Sequence, residues 1–268
     1  MTLAVRARGD GLPILVLPSF SLDGNAMTMA FEPALAGSPG WQQLYVDLPG
    51  TGASPPGEPR SDAVLDELAA TVLSVLGGQR FLVAGWSYGG YLAAGLARRL
   101  PGSIGGMLLV CTAPKIRPAD RDLTGVLPSQ AEPGWLRDVP GSLRDHLAHA
   151  VGCQTPETAR RITAVLARNG PTAESYLAEL RAGGFALSDE DVPVRCGAPV
   201  SILAGRRDRV AGFTAAFTAM ASYDRADYLV LADAGHYLPL EEPGWFAAAA
   251  AAWLGACGRW LRAGSAAG

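Results

Sequence analysis

Short apolar runs alternate with helical segments along most of this chain, and that alternation constrains its fold more than any other feature. The strand-like runs fall at 2–7, 12–17, 42–47, 80–84, 106–111, 199–204 and 227–231, and the helical ones at 25–36, 61–76, 88–100, 212–222 and 242–262. Five of the seven runs are almost unbroken in apolar residues, whereas a strand with one wet face alternates apolar with polar. Strands of the unbroken kind are covered on both sides. Strand then helix, repeated, is the signature of a mostly parallel sheet with right-handed crossovers and helices on both faces, an α/β architecture.

The alternation breaks once. From about Pro114 to Gly197 there is no convincing strand, only short helical patterns at 142–151, 156–168 and 172–182 punctuated by Pro and Gly. The sheet pattern resumes at Pro199. The chain therefore divides into a core formed by 1–113 and 198–268 and a helical insertion at 114–197. That insertion is expected to lie as a lid over the C-terminal edge of the sheet, where open α/β sheets bind ligands.

With 268 residues, 49% of them hydrophobic and 18% charged, the chain can bury a large core and is not a disordered one. A net charge of −3 gives no electrostatic footprint for nucleic acid. Lys115 is the only lysine among the basic residues, and Ala and Gly abound, a pattern read as GC-rich coding bias. Cys111, Cys153, Cys196 and Cys257 lie far apart with no metal-ligand spacing and read as free thiols of a reducing compartment. The longest apolar stretch, Phe246 to Leu254, falls far short of the about 20 residues of a membrane span. The N-terminal apolar run is broken by Pro13 and Pro18 and fits a signal peptide poorly. A soluble, cytoplasmic protein acting on a small molecule is the expectation, with neither nucleic acid nor membrane as partner and the oligomeric state left open.

The sharpest local signal is Phe81-Leu-Val-Ala-Gly85-Trp86-Ser87-Tyr88-Gly89-Gly90-Tyr91: a strand, G-x-S-x-G, then a helix. A serine on so tight a turn needs small neighbours. The turn projects its hydroxyl out of the sheet, beside the backbone N–H groups and positive dipole end of the helix. The bland alternative is a plain turn whose serine caps the helix. A nucleophilic serine needs a histidine base, and the base an orienting acid. His146 and His149 lie in the insertion and read as solvated helix residues. His236 follows the last predicted strand in the loop Ala232-Asp-Ala-Gly-His236-Tyr-Leu-Pro-Leu-Glu-Glu-Pro243, where its ring can swing toward the sheet edge or be satisfied by local backbone. Asp208 follows the strand Ser201-Ile-Leu-Ala-Gly205 and is the candidate acid; its alternative is a helix N-cap, and Asp233 is its competitor.

Four segments, Leu15-Val-Leu-Pro-Ser19-Phe20, Asp47-Leu-Pro-Gly50-Thr-Gly52-Ala-Ser54, the Ser87 turn, and the Asp208 and His236 loops, together resemble the α/β-hydrolase superfamily with a helical cap. The order Ser87, Asp208, His236 is that superfamily's order. The resemblance implies an α/β-hydrolase fold and acyl transfer to water through an acyl-enzyme on Ser87. His236 would act as base, Asp208 as its orienter, and the backbone N–H groups of Phe20 and Tyr88 as the oxyanion hole. No metal or organic cofactor is implied. Two positions depart from relatives: Pro18-Ser19 stands where many have His-Gly, and Thr51 where those with a DLPGHG loop have histidine.

For substrate, Trp86, Trp135, Tyr176 and Phe185 are candidate pocket residues, although each reads equally well as core packing. An ester or lactone of medium size and apolar character is the expected substrate, in the setting of a tailoring step of biosynthesis. Carbon–carbon bond hydrolase, thioesterase or lyase chemistry on the same three residues, and a non-catalytic ligand receptor, are the alternatives, because fold does not determine function.

Overall fold

The computed structural model describes residues 2–265. Its elements are β1 (Val5–Arg8), β2 (Leu12–Leu17), α1 (Gly24–Leu35), β3 (Trp41–Val46), α2 (Ser61–Leu76), β4 (Phe81–Trp86), α3 (Tyr88–Arg99), β5 (Ile104–Val110), β6 (Gln130–Ala131), α4 (Gly141–Ala150), β7 (Cys153–Gln154), α5 (Pro156–Leu166), α6 (Glu174–Gly183), β8 (Val200–Gly205), α7 (Thr214–Ala219), β9 (Ala226–Leu231), α8 (Leu238–Glu241) and α9 (Pro243–Ser265). All seven apolar runs enter one sheet, in the order β1-β3-β2-β4-β5-β8-β9, with β1 antiparallel to β3 and every other pair parallel. The run expected at 212–222 is shorter: α7 ends at Ala219 and a 3₁₀ turn follows at Met220–Ser222.

Period-two side-chain alternation sorts the strand residues onto two faces. Ile14, Val16, Leu82, Ala84, Trp86, Leu108 and Val110 join one apolar cluster with residues of α1 and α9. Their neighbours Leu15, Leu17, Val83, Met107 and Leu109 join a second with residues of α2 and α3. Both faces are covered, which is why these strands carry no polar alternation. Among the described residues, no helix is long and apolar enough to cross a membrane.

After β2 the chain pairs outward as β3, then returns to place β4 on the other side of β2. The connections leaving β2 and β4 thus diverge at the carboxyl edge of the sheet and leave a crevice between them. Loop 18–23 and Ser87 stand at that crevice. The segment 111–199 joins β5 to β8, which are neighbours in the sheet, and contains α4, α5, α6, β6 and β7. It has no apolar cluster of its own: Leu147, Ile162 and Val165 join the first cluster, and Tyr176, Leu180 and Phe185 the second.

Candidate active site

Ser87 sits at φ 54°, ψ −114°, between the last residue of β4 and the first of α3. An L-residue is strained there. What holds it is backbone packing on both sides of the turn. A Cβ on Gly85 would lie 2.4 Å from the Gly89 carbonyl carbon, and one on Gly89 2.2 Å from the Leu17 oxygen, so both positions exclude any side chain. The close approach of Gly89 to the end of β2 also brings loop 18–20 against the start of α3. The Ser87 N–H donates to Val110 O at 2.8 Å, tying the turn to β5.

Three side chains from three loops meet there. Ser87 Oγ lies 2.8 Å from His236 Nε2, and His236 Nδ1 lies 2.9 Å from Asp208 Oδ2. With Asp208 ionised, Nδ1–H donates to the carboxylate, which leaves Nε2 to accept the Ser87 hydroxyl proton. Asp208 is fully buried, and its second oxygen accepts the N–H groups of Val210 and Ala211, each at 2.8 Å. The Asp208 carboxylate is therefore held in one orientation from both sides. Asp233, the competing acid, is instead paired with Arg207 at 3.1 Å.

His236 is positioned through its backbone. Its N–H donates to Ala150 O at 2.8 Å, and its carbonyl accepts Trp86 Nε1 at 2.9 Å. Behind the loop lies a residue that sequence reasoning passed over. Glu241 is 5% exposed; its Oε2 accepts Gly152, Cys153 and Gly235 N–H at 2.8, 2.8 and 2.9 Å, and its Oε1 accepts Tyr237 N–H at 3.0 Å. One carboxylate thus fastens the histidine loop to the α4–β7 turn. Burial pushes its pKa up to about 7 against those four donors. The signal available in the sequence was an acid inside an otherwise apolar helical turn.

Cys111 Sγ, Asp208 and His236 offer atoms within 4.8 Å of one another. Burial above all, with Asp208 and Glu241 adding to it, holds the Cys111 thiol well above its ordinary value, and its S–H donates to Gly235 O at 3.5 Å. A protonated, hydrogen-bonded thiol is a poor metal ligand, and the group reads as a support for the loop.

Ser87 and His236 open on a cavity of about 700 Å³, which Phe20, Tyr88 and Phe185 also line. The Phe20 ring meets those of Tyr88 and Phe185 edge-on at 5.5 and 5.1 Å. Tyr88 OH is 2.7 Å from Ser61 Oγ, which itself donates to Phe185 O at 2.6 Å. The other three expected pocket residues lie elsewhere. Trp86 is 1% exposed and packed in the core below the histidine loop. Trp135 lines a separate cavity against Pro156 and Ala159. Tyr176 covers Gly50, where an added Cβ would sit 2.4 Å from its ring. All three satisfy apolar area in the interior. His146 and His149, the expected solvated helix residues, are both exposed and stand on the wall of this cavity; His146 Nε2 lies 2.9 Å from Tyr237 OH, and partial desolvation, with the charges of His236, Arg181 and His149, lowers its pKa.

A family model described as the alpha/beta hydrolase family matches residues 14–249. The chain belongs to this family. Pimeloyl-(acyl-carrier protein) methyl ester esterase of Shewanella sp. (strain MR-7) is 26% identical over 67% of the chain and 60% of its own length. The protein of the same name from Sodalis glossinidius (strain morsitans) is 34% identical over 56% and 60%. The chain thus spans three fifths of the length of both relatives. Among solved structures, an alpha/beta superfamily hydrolase from Oenococcus oeni PSU-1 superposes with a TM-score of 0.85 at 23% identity, covering 96% of this chain and 97% of that one. The likeness to that structure is one of fold.

Proposed function

We propose that this alpha/beta hydrolase family member cleaves a carboxylic ester or lactone through an acyl-enzyme on Ser87. The reading is carried by the unbroken hydrogen-bonded series Ser87 Oγ, His236, Asp208 at the floor of a cavity. His236 Nε2 takes the Ser87 proton as Oγ attacks the carbonyl carbon, and Asp208 stabilises the resulting imidazolium. The N–H groups of Phe20 and Tyr88, both on the cavity wall, receive the oxyanion. The protonated His236 then releases the alcohol, and water deprotonated by the same nitrogen frees the acid. The 114–197 insertion roofs the site and excludes bulk water. The ester-cleaving names of the Shewanella and Sodalis relatives support the reaction class.

The test is covalent labelling by a fluorophosphonate together with hydrolysis of a panel of methyl and p-nitrophenyl esters. Ser87→Ala is expected to abolish labelling and to lower kcat by about 10⁴- to 10⁶-fold. His236→Ala should lose a comparable amount, whereas His146→Ala should lose less than about tenfold. A Ser87→Ala protein that keeps a tenth of the activity removes the serine from the chemistry.

A further inference from the structure

The cavity above Ser87 has a charge opposite to that of the molecule. The chain carries 25 acidic and 22 basic residues besides histidine, yet Arg121, Arg181 and Arg209 line this one cavity and, among the described residues, no aspartate or glutamate does. Arg121 is half-buried and Arg181 and Arg209 are exposed, and all three stand on the wall of this one concavity, where low-dielectric walls concentrate their field.

Each guanidinium is placed without an acidic partner. Arg121 Nε donates to Ile116 O at 3.0 Å and Nη1 to Val210 O at 2.8 Å, while Nη2 also reaches Ile116 O. Its plane is fixed by carbonyls, which leave the positive charge uncancelled. Arg181 stacks over the Phe20 ring, its central carbon 4.4 Å from the centroid, directly above a proposed oxyanion residue. Arg209 follows Asp208 in the loop that supplies the acid. Asp208 acts on Arg121 through space, but its oxygens are already taken by His236, Val210 and Ala211. Burial pushes Arg121 below the ordinary arginine value, with Asp208 working against that shift and the charge of Arg181 adding to it.

Like charges held together in a pocket are stabilised when an anion enters. Resting on the ester-hydrolase reading above, we infer that the substrate of this site carries an anionic group, a carboxylate or a phosphate, which Arg121, Arg181 and Arg209 hold while the ester carbonyl lies at Ser87. The apolar body of the substrate then runs along Leu22, Leu143, Leu166 and Phe185 on the same wall. A neutral ester of equal length fills that wall and leaves the arginines unmatched.

The experiment compares kcat/KM for three esters of equal chain length: the monomethyl ester of a straight-chain dicarboxylic acid, its neutral dimethyl ester, and a methyl ester bearing a terminal phosphate. The wild type is expected to favour an anionic ester over the neutral one by about tenfold or more, mainly through KM, with the preference shrinking in about 0.5 M salt. The larger of the two anionic ratios identifies carboxylate or phosphate. Arg181→Gln, on an exposed stretch of α6, should cut that ratio by about tenfold, and Arg121→Gln should do so wherever circular dichroism shows it folded. A wild-type ratio of one or less, or a ratio that Arg181→Gln leaves unaltered, overturns the inference. If none of the esters turns over, the hydrolase reading fails on its own, and calorimetry of Ser87→Ala protein with a straight-chain dicarboxylate decides the anion site. Binding that Arg181→Gln weakens upholds it, and no binding at millimolar dicarboxylate overturns it.

Discussion

Ser87 trades stability for a projecting hydroxyl. Its left-handed φ costs of order 1–3 kcal/mol for a residue with a side chain, and the cost is met by the packing of Gly85 and Gly89. Ser87→Gly is therefore expected to raise the unfolding free energy by about 1 kcal/mol while removing turnover; denaturant titration beside an ester assay checks both. Gly89→Ala should do the reverse to stability, a loss of about 3 kcal/mol, because its Cβ would meet main-chain atoms that cannot rotate aside. Glu241 gives a pH-dependent prediction at the same scale. Its pKa is raised in the fold to about 7 by burial, so between its ordinary value and about 7 the folded protein holds this proton more tightly than the unfolded chain. The unfolded state then binds fewer protons, and stability falls as pH rises through that window. Glu241→Gln removes that slope. Urea titrations of both proteins at about pH 5, 6 and 7 should show the wild type losing stability relative to the variant as pH rises.

The elements around the cavity are joined at three seams. Asn169 donates its Nδ2–H to Ser21 O at 2.8 Å and accepts Asp23 N–H at 2.8 Å, while Gly52 N–H reaches Pro171 O and Ala173 N–H reaches Gly50 O. Ser61 N–H donates to Gly184 O at 2.7 Å. Glu241 and the Ala150 carbonyl close the third seam at the histidine loop. A segment bonded along three edges does not swing as one body. Asn169→Ala, which removes two hydrogen bonds across the first seam, is expected to lower stability by about 1–2 kcal/mol and to lower kcat more than it raises KM, since the loop it fastens carries the Phe20 N–H. Faster hydrogen exchange of residues 20–23 measures the loosening. Unaltered exchange there would show that the seam does not hold that loop.

At the scale of the whole molecule, residues of the insertion complete both apolar clusters of the sheet. Core and insertion are expected to unfold in one transition, with far- and near-ultraviolet circular dichroism coincident; an earlier transition of the 114–197 segment would contradict this shared packing. Much of this architecture could be read from the chain. The position of each of the seven strands and the burial of β2, β4, β5 and β8 on both faces follow from their apolar runs, and α2 from its apolar period and the left-handed Gly77 that ends it, because these patterns are local. The nomination of Ser87, Asp208 and His236 was legible too, since each stands just after a strand whose end faces one crevice. What the chain could not show is which distant side chains share that crevice. Nothing near Trp135 or Tyr176 in sequence says that each turns into packing, and nothing near Arg121 or Arg181 says that they converge. Those outcomes rest on contacts such as Asn169 to Ser21, 148 residues apart, and Glu241 to Gly152, 89 apart. Periodicity is a property of neighbours along the chain and so determined the elements; the sign of the cavity and the fastening of its walls are properties of neighbours in space, and only the tertiary structure decided them.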